Sequence, residues 1–407
     1  MITDPEILKH LMQQGSLLPK EEMLEIAQKK GNLYIGIPKE ISFQERRVAL
    51  VPETVSVLVA NGHRVKVETK SGEGASFTDN DYSEAGAEIC HDREEIFKCD
   101  LIFKVAPPSE DEVNMMSGKQ TLISALQISI QPKKILQMLM DKKITAVAWD
   151  YIRDDSGVFP VVRTMGEIAG TTALLVAGHL LSSFSDGKGI MLGGLAGVQP
   201  TEVVVIGAGT VGEYATRAAL GLGASVKVFD NSLSKLRRLQ TALGVRVYTS
   251  VIQPKVLAKA LMRCDVAIGA LRAPLGRTPC VVTEEMVNQM KDGSVVVDVS
   301  IDQGGCFETS KVTNHDHPTY VKHGVIHYCV PNIASRVSRT ASFALSNIFS
   351  PILVDMGVKG GCKELIANNI GFRSGVYIYR GKLTSEVLGK VFDLRYKDIE
   401  LLLMGMK

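Results

Sequence analysis

The stretch VVVIGAGTVGEYATRAALGLGASVKVFD, residues 203–230, constrains the fold more than any other part of this 407-residue chain. A run of β-branched residues feeds Gly207, Gly209 and Gly212 at G-x-G-x-x-G spacing; a helical pattern follows, and then a second β run ends at Asp230. Gly207 allows the tight turn, Gly209 lets the backbone approach a pyrophosphate, and Gly212 lets the helix close on the strand, with the helix N-terminus facing the anion. Three glycines alone also suit a plain βα turn. Strand, helix and acid in register single out a dinucleotide site, because a carboxylate 23 positions after Gly207 is placed to accept both ribose hydroxyls. Asp230 is followed by Asn231 with no adjacent arginine, which disfavours the extra phosphate of NADP, so NAD(H) is the expected cofactor. Lys235 is placed either to reach the adenosine side or to lie in solvent on its helix.

The rest of the chain repeats this alternation. From Leu33 the runs LYIGI, RVKVET, LIFKVA, TLISAL and ITAVAW alternate with helical stretches, and a second series starts at Val203 and ends with SVVVDVS and VIHYCV. Strands alternating with helices indicate βαβ units around mainly parallel sheets. At about 150 residues per domain, the expectation is two doubly wound, Rossmann-like α/β domains with a cleft between them. The boundaries read as an N-terminal helical extension over 1–32, a substrate domain over 33–162 plus 334–407, and an NAD-binding domain over 163–333. MGEIAGTTALLVAGHLLSSF reads as a long helix of small residues suited to close packing. After Pro331 the strand signals stop, and a mainly helical tail is expected.

Composition removes several function classes. Lys+Arg 46 against Asp+Glu 44 leaves a formal charge of +2 without a basic block, so nucleic acid is not expected as a partner. With 45% hydrophobic and 22% charged residues the chain should fold rather than stay disordered. The first thirty residues carry charges throughout and lack a secretory pattern, and no apolar run approaches the roughly 20 residues of a membrane span, so a soluble cytoplasmic protein is expected. The seven cysteines are scattered without C-x-x-C spacing, which argues against disulfides and a structural zinc site; no metal is expected.

Other stretches look chemical. In GIPKEISFQERRVALVPETV a strand enters a charged loop, and Arg46 or Arg47 there can hold a carboxylate through a bidentate fork or simply lie at the surface. In SVVVDVSIDQGGCFETS a buried strand ends at Asp298 and Asp302, where open α/β sheets place ligands. In HYCVPNIASRVSRT another strand ends at Asn332, whose amide can address a nicotinamide or a substrate.

Together these residues resemble the alanine dehydrogenase family and the related nucleotide-binding alpha subunit of nicotinamide nucleotide transhydrogenase. The resemblance runs from about Tyr34 to Ile348 on IGIPKE, RRVALVP, MGEIAG, VVVIGAGTVG, MKDGSVVVDVSIDQGGCFETS and HPTYVKHGVIHYCVPN. IDQGGCFETS and HYCVPN look like alanine dehydrogenase in particular. The resemblance implies reversible oxidative deamination of L-alanine to pyruvate and ammonia with NAD, by homo-oligomers, hexamers or dimers. It places Arg47 on the substrate carboxylate and Asp302 near the nicotinamide ribose and the amino group. Thr210, Val211, Asp230, Lys235, Leu271, Val299, Val330, Asn332 and Ile333 fall on positions lining the NAD site.

The departures are equally specific. Where the family has K-V-K-E-P, with a second lysine holding the substrate carbonyl, this chain has Lys104-Val105-Ala106-Pro107-Pro108. The family's proton-transferring histidine is Gln127, and the serine of its M-S-E-V-A-G is Gly166. Gln127 can polarise a carbonyl but cannot take a proton, and lost acid–base help costs about 10²- to 10⁴-fold. Two residues from Ala106 on one strand, Lys104 is expected to lean into the vacated space, or else to lie at the surface. The leading expectation is an alanine dehydrogenase-like oxidoreductase. The alternatives are a non-catalytic NAD(H)-binding relative, or a dehydrogenase for another amino acid or 2-oxo acid.

Overall fold

The computed structural model describes residues 31–126, 132–185, 187–273 and 277–404. Gln127 and the expected extension up to residue 30 lie outside the described residues. The chain divides into two compact units: one takes the described residues up to Ile41, Arg47–Pro160 and the chain from Ser342 onward, and the other takes Ser42–Arg46 and Val161–Ala341.

The first unit is built on an eight-stranded sheet. Its strands are β1 (Tyr34–Ile37), β2 (Arg64–Glu68), β3 (Glu88–Cys90), β4 (Leu101–Phe103), β5 (Thr121–Ser124) and β6 (Thr145–Ala148), completed by two from the tail, β14 (Val376–Tyr379) and β15 (Lys382–Leu383). Their order is β15-β14-β6-β5-β4-β1-β2-β3, parallel from β3 through to β6 and antiparallel for the tail strands. The tail is mainly helical as expected, but strands do not stop at Pro331, since it also adds these two to the sheet. VYIY supplies a fully buried strand, and the two-residue turn at Arg380 (φ 48°) and Gly381 (φ 79°) has the positive-φ pair that a tight hairpin of right-twisted strands requires. The reversal of strand order lies between β1 and β4, so the loops leaving these two strands diverge at one edge of the sheet.

The second unit holds the strands β7 (Glu202–Ile206), β8 (Ser225–Phe229), β9 (Tyr248–Ser250), β10 (Val266–Gly269), β11 (Val295–Asp298), β12 (Thr319–Lys322) and β13 (Val325–Tyr328). They run β12-β13-β11-β10-β7-β8-β9, with β12 alone antiparallel. Both faces are covered, as a parallel sheet requires. Val203 and Val205 enter the core on one face with Val226, Ile268 and Val297, while Val204 and Ile206 enter the other with Ala267 and Val296. Here the reversal lies between β7 and β10.

Two long helices complete the frame. Helix α1 (Pro160–Leu180) fits the small-residue stretch: a Cβ on Gly170 would stand 2.3 Å from the Val211 carbonyl oxygen and 2.9 Å from the Ala215 nitrogen, so this glycine sets how closely α1 meets the helix beginning at Thr210. Helix α2 (Ser338–Lys359) corrects one expectation, since together with the preceding turn it is long and apolar enough, by length and composition, to cross a membrane. Its seryl residues explain its character better: Ser342 and Ser346 are buried and their hydroxyls accept from Val48 N–H (2.9 Å) and Val51 N–H (2.7 Å), the pattern of a core helix.

Candidate active site

The C-terminal edge of the second sheet collects nearly every residue expected to bind the cofactor. The Gly207 loop follows β7 and opens helix α3 (Thr210–Gly221), Asp230 follows β8, Leu271 follows β10, Val299 follows β11, and Val330 and Ile333 follow β13. The glycines divide by role. Gly207 has φ +117°, and a Cβ there would lie 2.4 Å from the Ala270 carbonyl oxygen; on Gly212 it would lie 1.8 Å from the Gly207 oxygen. Both are demanded by packing. A Cβ on Gly209 would meet no protein atom within 4 Å, so the open side of the loop is at the residue assigned to pyrophosphate approach.

Asp230 is buried beside this loop. Its carboxylate accepts from Ala208 N–H (2.8 Å) and Ser232 N–H (2.7 Å), and Lys235 Nζ stands 4.0 Å away. A carboxylate offers about four acceptor directions, so capacity remains for a ribose diol. Arg238, which the sequence reading did not single out, donates from Nη2 to the Ala208 carbonyl at 3.0 Å. Val330 and Ile333 lie in the core, with Val211 and Val299 packed against the same cluster and Leu271 against the opposite one. These residues form walls rather than polar contacts. Open space at Gly209, a buried acid with spare acceptors and apolar flanks fit a dinucleotide.

The ends of β11 and β13, where the nicotinamide is expected, are ordered by Asp298 and Asn332. Burial raises the Asp298 carboxyl pKa, against the pull of its donors: Ser310 Oγ (2.7 Å) and the backbone N–H groups of Cys306 (2.8 Å) and Ser300 (3.0 Å). It is a turn anchor. Asp302, one short turn further on, is exposed and accepts from Asn332 N–H at 2.9 Å. Asn332 is left-handed (φ 54°), and its amide donates from Nδ2 to Glu45 at 2.8 Å instead of projecting alone. Ser42–Arg46 belongs with this unit because Arg46 N–H donates to Ser335 Oγ (2.9 Å), Ser335 Oγ to the Gln44 carbonyl (2.8 Å), and His315 N–H to Gln44 Oε1 (2.6 Å). Sequence reasoning missed His315. Its ring Nε2 is buried without a hydrogen-bond partner, and burial, followed by the charges of Arg336 and Arg46, holds the imidazole pKa below its ordinary value.

In the first unit the edge where β1 and β4 end carries a buried charge network. Lys104 Nζ sits 3.1 Å from Glu112 Oε2, 3.3 Å from Glu40 Oε2 and 3.1 Å from the Pro107 carbonyl. Arg93 pairs with the other Glu112 oxygen and with Glu68, and Glu40 also accepts from the backbone N–H groups of Val105 and Ala106. An ammonium has three donors, and here each faces a protein oxygen. Lys104 is thus turned into this network and not toward a substrate; β4 ends at Phe103, so Lys104 and Ala106 do not share the strand on which the expectation rested. Ala106 is buried, and so is Arg47, shortly before the helix Pro52–Ala60.

Comparison with known proteins agrees with this geometry. Sequence models of the alanine dehydrogenase/PNT family match the chain in both parts, the N-terminal domain over residues 36–169 and the C-terminal domain over residues 173–386. Alanine dehydrogenase 2 of Staphylococcus aureus (strain USA300) is 38% identical over 367 residues, covering 90% of this chain and 98% of that protein. Among solved structures, an L-alanine dehydrogenase superposes with a TM-score of 0.82 at 35% identity, over 88% of this chain and 99% of that one. A transhydrogenase from Sinorhizobium meliloti shares the fold, with a TM-score of 0.75 at 24% identity over 87% of this chain and 99% of its own.

Proposed function

The chain belongs to the alanine dehydrogenase/PNT family, and we propose that it interconverts a small L-amino acid, alanine first, with its 2-oxo acid and ammonia using NAD(H). It is an alanine dehydrogenase-like oxidoreductase. The observation that carries the cofactor reading is the buried Asp230 carboxylate bonded to Ala208 N–H beside the open side of Gly209. A bound nicotinamide supplies the hydride acceptor.

The residues of this chain do the rest. Asp230 takes the ribose hydroxyls and thereby selects the form without a 2′-phosphate. The loop from Gly207 to Gly212 and the N-terminus of α3 face the pyrophosphate. Arg47 holds the substrate carboxylate by its planar fork. Asp302, fixed by Asn332 N–H, orients the amino group in one direction and water in the other. Gln127 donates to the developing carbonyl, but neither it nor Ala106 can move a proton, so turnover runs about 10²- to 10⁴-fold below an enzyme with acid–base help at that place. That deficit favours, as a second reading, an NAD(H)-binding relative whose turnover is vestigial.

The test is NADH absorbance in both directions, with L-alanine plus NAD and with pyruvate plus ammonium plus NADH, beside an NADH titration. Turnover of about 1 s⁻¹ or more removes the second reading. Tight NADH binding with no turnover of alanine or pyruvate removes the alanine dehydrogenase and leaves a dehydrogenase for another 2-oxo acid or the binding protein.

A further inference from the structure

The first unit has a concavity away from the Lys104 network. It lies at the edge of the sheet where β5 and β6 begin, opposite the edge that carries Lys104, and encloses about 330 Å³. Its rim is basic: Lys119, Lys143, Lys363 and Arg380. Its floor is neutral and polar, with Thr121 and Thr145 at the first positions of their strands beside Cys362 and Tyr379. Among the described residues no aspartate or glutamate lines it, and Glu364 is the nearby carboxylate whose charge reaches Cys362 and Tyr379.

The backbone brings these cations together. Lys119 N–H donates to the Lys142 carbonyl (2.9 Å), Gly381 N–H to the Ile144 carbonyl (3.0 Å) and Arg380 N–H to Thr145 Oγ1 (3.3 Å), so three loops abut at Lys143. Lys119, Lys143 and Arg380 all hold positive φ, at 62°, 56° and 48°. Glycine or asparagine occupies that region at least cost, and other side chains lose roughly 1–2 kcal/mol there. Three adjacent loops therefore keep a cation where a smaller residue would be more stable. Neither Lys119 nor Lys143 forms an ion pair among the described residues, and Lys363 has only Glu364, at 4.0 Å, on an exposed surface. Burial pushes the Cys362 thiol up to about 12, so it stays protonated and adds no opposing charge.

Like charges crowded on one rim repel, and a multivalent anion relieves that repulsion while its oxygens accept from ammonium, guanidinium and hydroxyl donors. We propose that this cavity is a binding site for a small phosphate-bearing polyanion, separate from the dinucleotide site. Its volume is at the lower end for small-molecule sites and admits a phosphorylated metabolite but not a second dinucleotide.

Isothermal titration with inorganic pyrophosphate tests this, at constant ionic strength and with NADH saturating so that the glycine-rich loop is already filled. The expected result is submillimolar binding to the native protein, weakened at least tenfold in Lys143→Glu/Arg380→Glu. Lys119→Gln serves as a milder variant should the double one fail to fold, with an expected loss of about threefold. Absence of binding, or equal binding by native protein and rim variants, overturns the site. Should NADH itself not bind, the proposed function falls, while the difference between native protein and rim variants still reads this cavity.

Discussion

The backbone N–H of Asn332 donates to the Asp302 carboxylate at 2.9 Å, and it does so from a left-handed conformation with φ 54° and ψ 45°. Asparagine tolerates that region better than other side chains, so the residue type serves the backbone before it serves any ligand. Asn332→Gly keeps the conformation and the N–H, whereas Asn332→Ala loses the tolerance and both lose the Glu45 contact. The expected outcome is near-native affinity for NADH and KM for substrate in the glycine variant. In the alanine variant about 1 kcal/mol of stability is lost and KM rises. Equal defects in the two variants would assign the role to the side-chain amide instead. Thermal unfolding and steady-state kinetics read the difference.

The glycine-rich loop separates folding from binding. A methyl on Gly212 meets the Gly207 oxygen at 1.8 Å and forces α3 off its strand, so Gly212→Ala should destabilise by several kcal/mol, on the scale of overpacking. Gly209→Ala meets nothing within 4 Å and should unfold at the native temperature, yet weaken NADH at least tenfold because its methyl fills the space left for phosphate. Calorimetric melting and NADH fluorescence titration give both numbers. Native NADH affinity in Gly209→Ala would place the pyrophosphate elsewhere.

What could be read from sequence follows physical range. The residues at the C-terminal ends of β7 and β8 were legible because turn, helix and carboxylate are adjacent in the chain and each has a local steric or hydrogen-bonding reason. The VYIY–RG–KL hairpin was written in equally local terms, but the helical pattern around it dominated the reading of the tail. Lys104 was illegible for another reason: β4 stops one residue before it, and its partners Glu40 and Glu112 come from a distant loop and a following helix. His315 meets Gln44 only because Ser42–Arg46 joins the second unit, 271 positions away in the chain, which no local pattern announces.

The network around Lys104 should be stiff to single substitutions. Lys104 and Glu112 are almost fully buried, so Lys104→Met leaves Glu40 and Glu112 facing one another without their shared cation. Removing one partner of a buried pair costs roughly 3–5 kcal/mol, while replacing a pair by apolar residues is often neutral. Lys104→Met should therefore lower stability by about that amount, and Lys104→Met/Glu112→Leu, which still takes Lys104 from Glu40 and leaves Arg93 with Glu68 as its carboxylate, should recover only part of it. Urea denaturation measures both. A Lys104→Met protein of native stability with a raised substrate KM would return Lys104 to the substrate.

Acid sensitivity should come from a histidine that the proposed chemistry does not use. His327 is fully buried; its Nδ1–H donates to the Val325 carbonyl (2.9 Å), leaving Nε2 to accept from Thr309 Oγ1 (2.8 Å). Burial lowers its pKa below the ordinary 6.5. The unfolded chain then binds more protons than the folded one between the folded value and 6.5, so stability is fully present above 6.5 and is lost as pH falls through that window. His327→Gln should be less stable at neutral pH and show a shallower loss on acidification, by about one proton of slope. Urea midpoints between about pH 5.5 and 7.5 decide it, and an unchanged slope would assign the effect to His63 or His315, whose values burial also lowers.

Restoring the missing proton chemistry is the sharpest test of the catalytic reading. Ala106 is buried, and its position matches the family's second lysine, so Ala106→Lys restores an ammonium at that place in the chain. Gln127→His supplies a group that titrates near neutral pH. Ala106→Lys/Gln127→His should raise kcat for alanine by about 10²-fold or more and give it a pH profile with a limb near the histidine pKa. The single variants should gain far less, because carbonyl polarisation and proton transfer act on the same step and such contributions are not additive. A stable double variant that binds NADH at native affinity and still fails to turn over alanine would mean that the pocket is shaped for another 2-oxo acid.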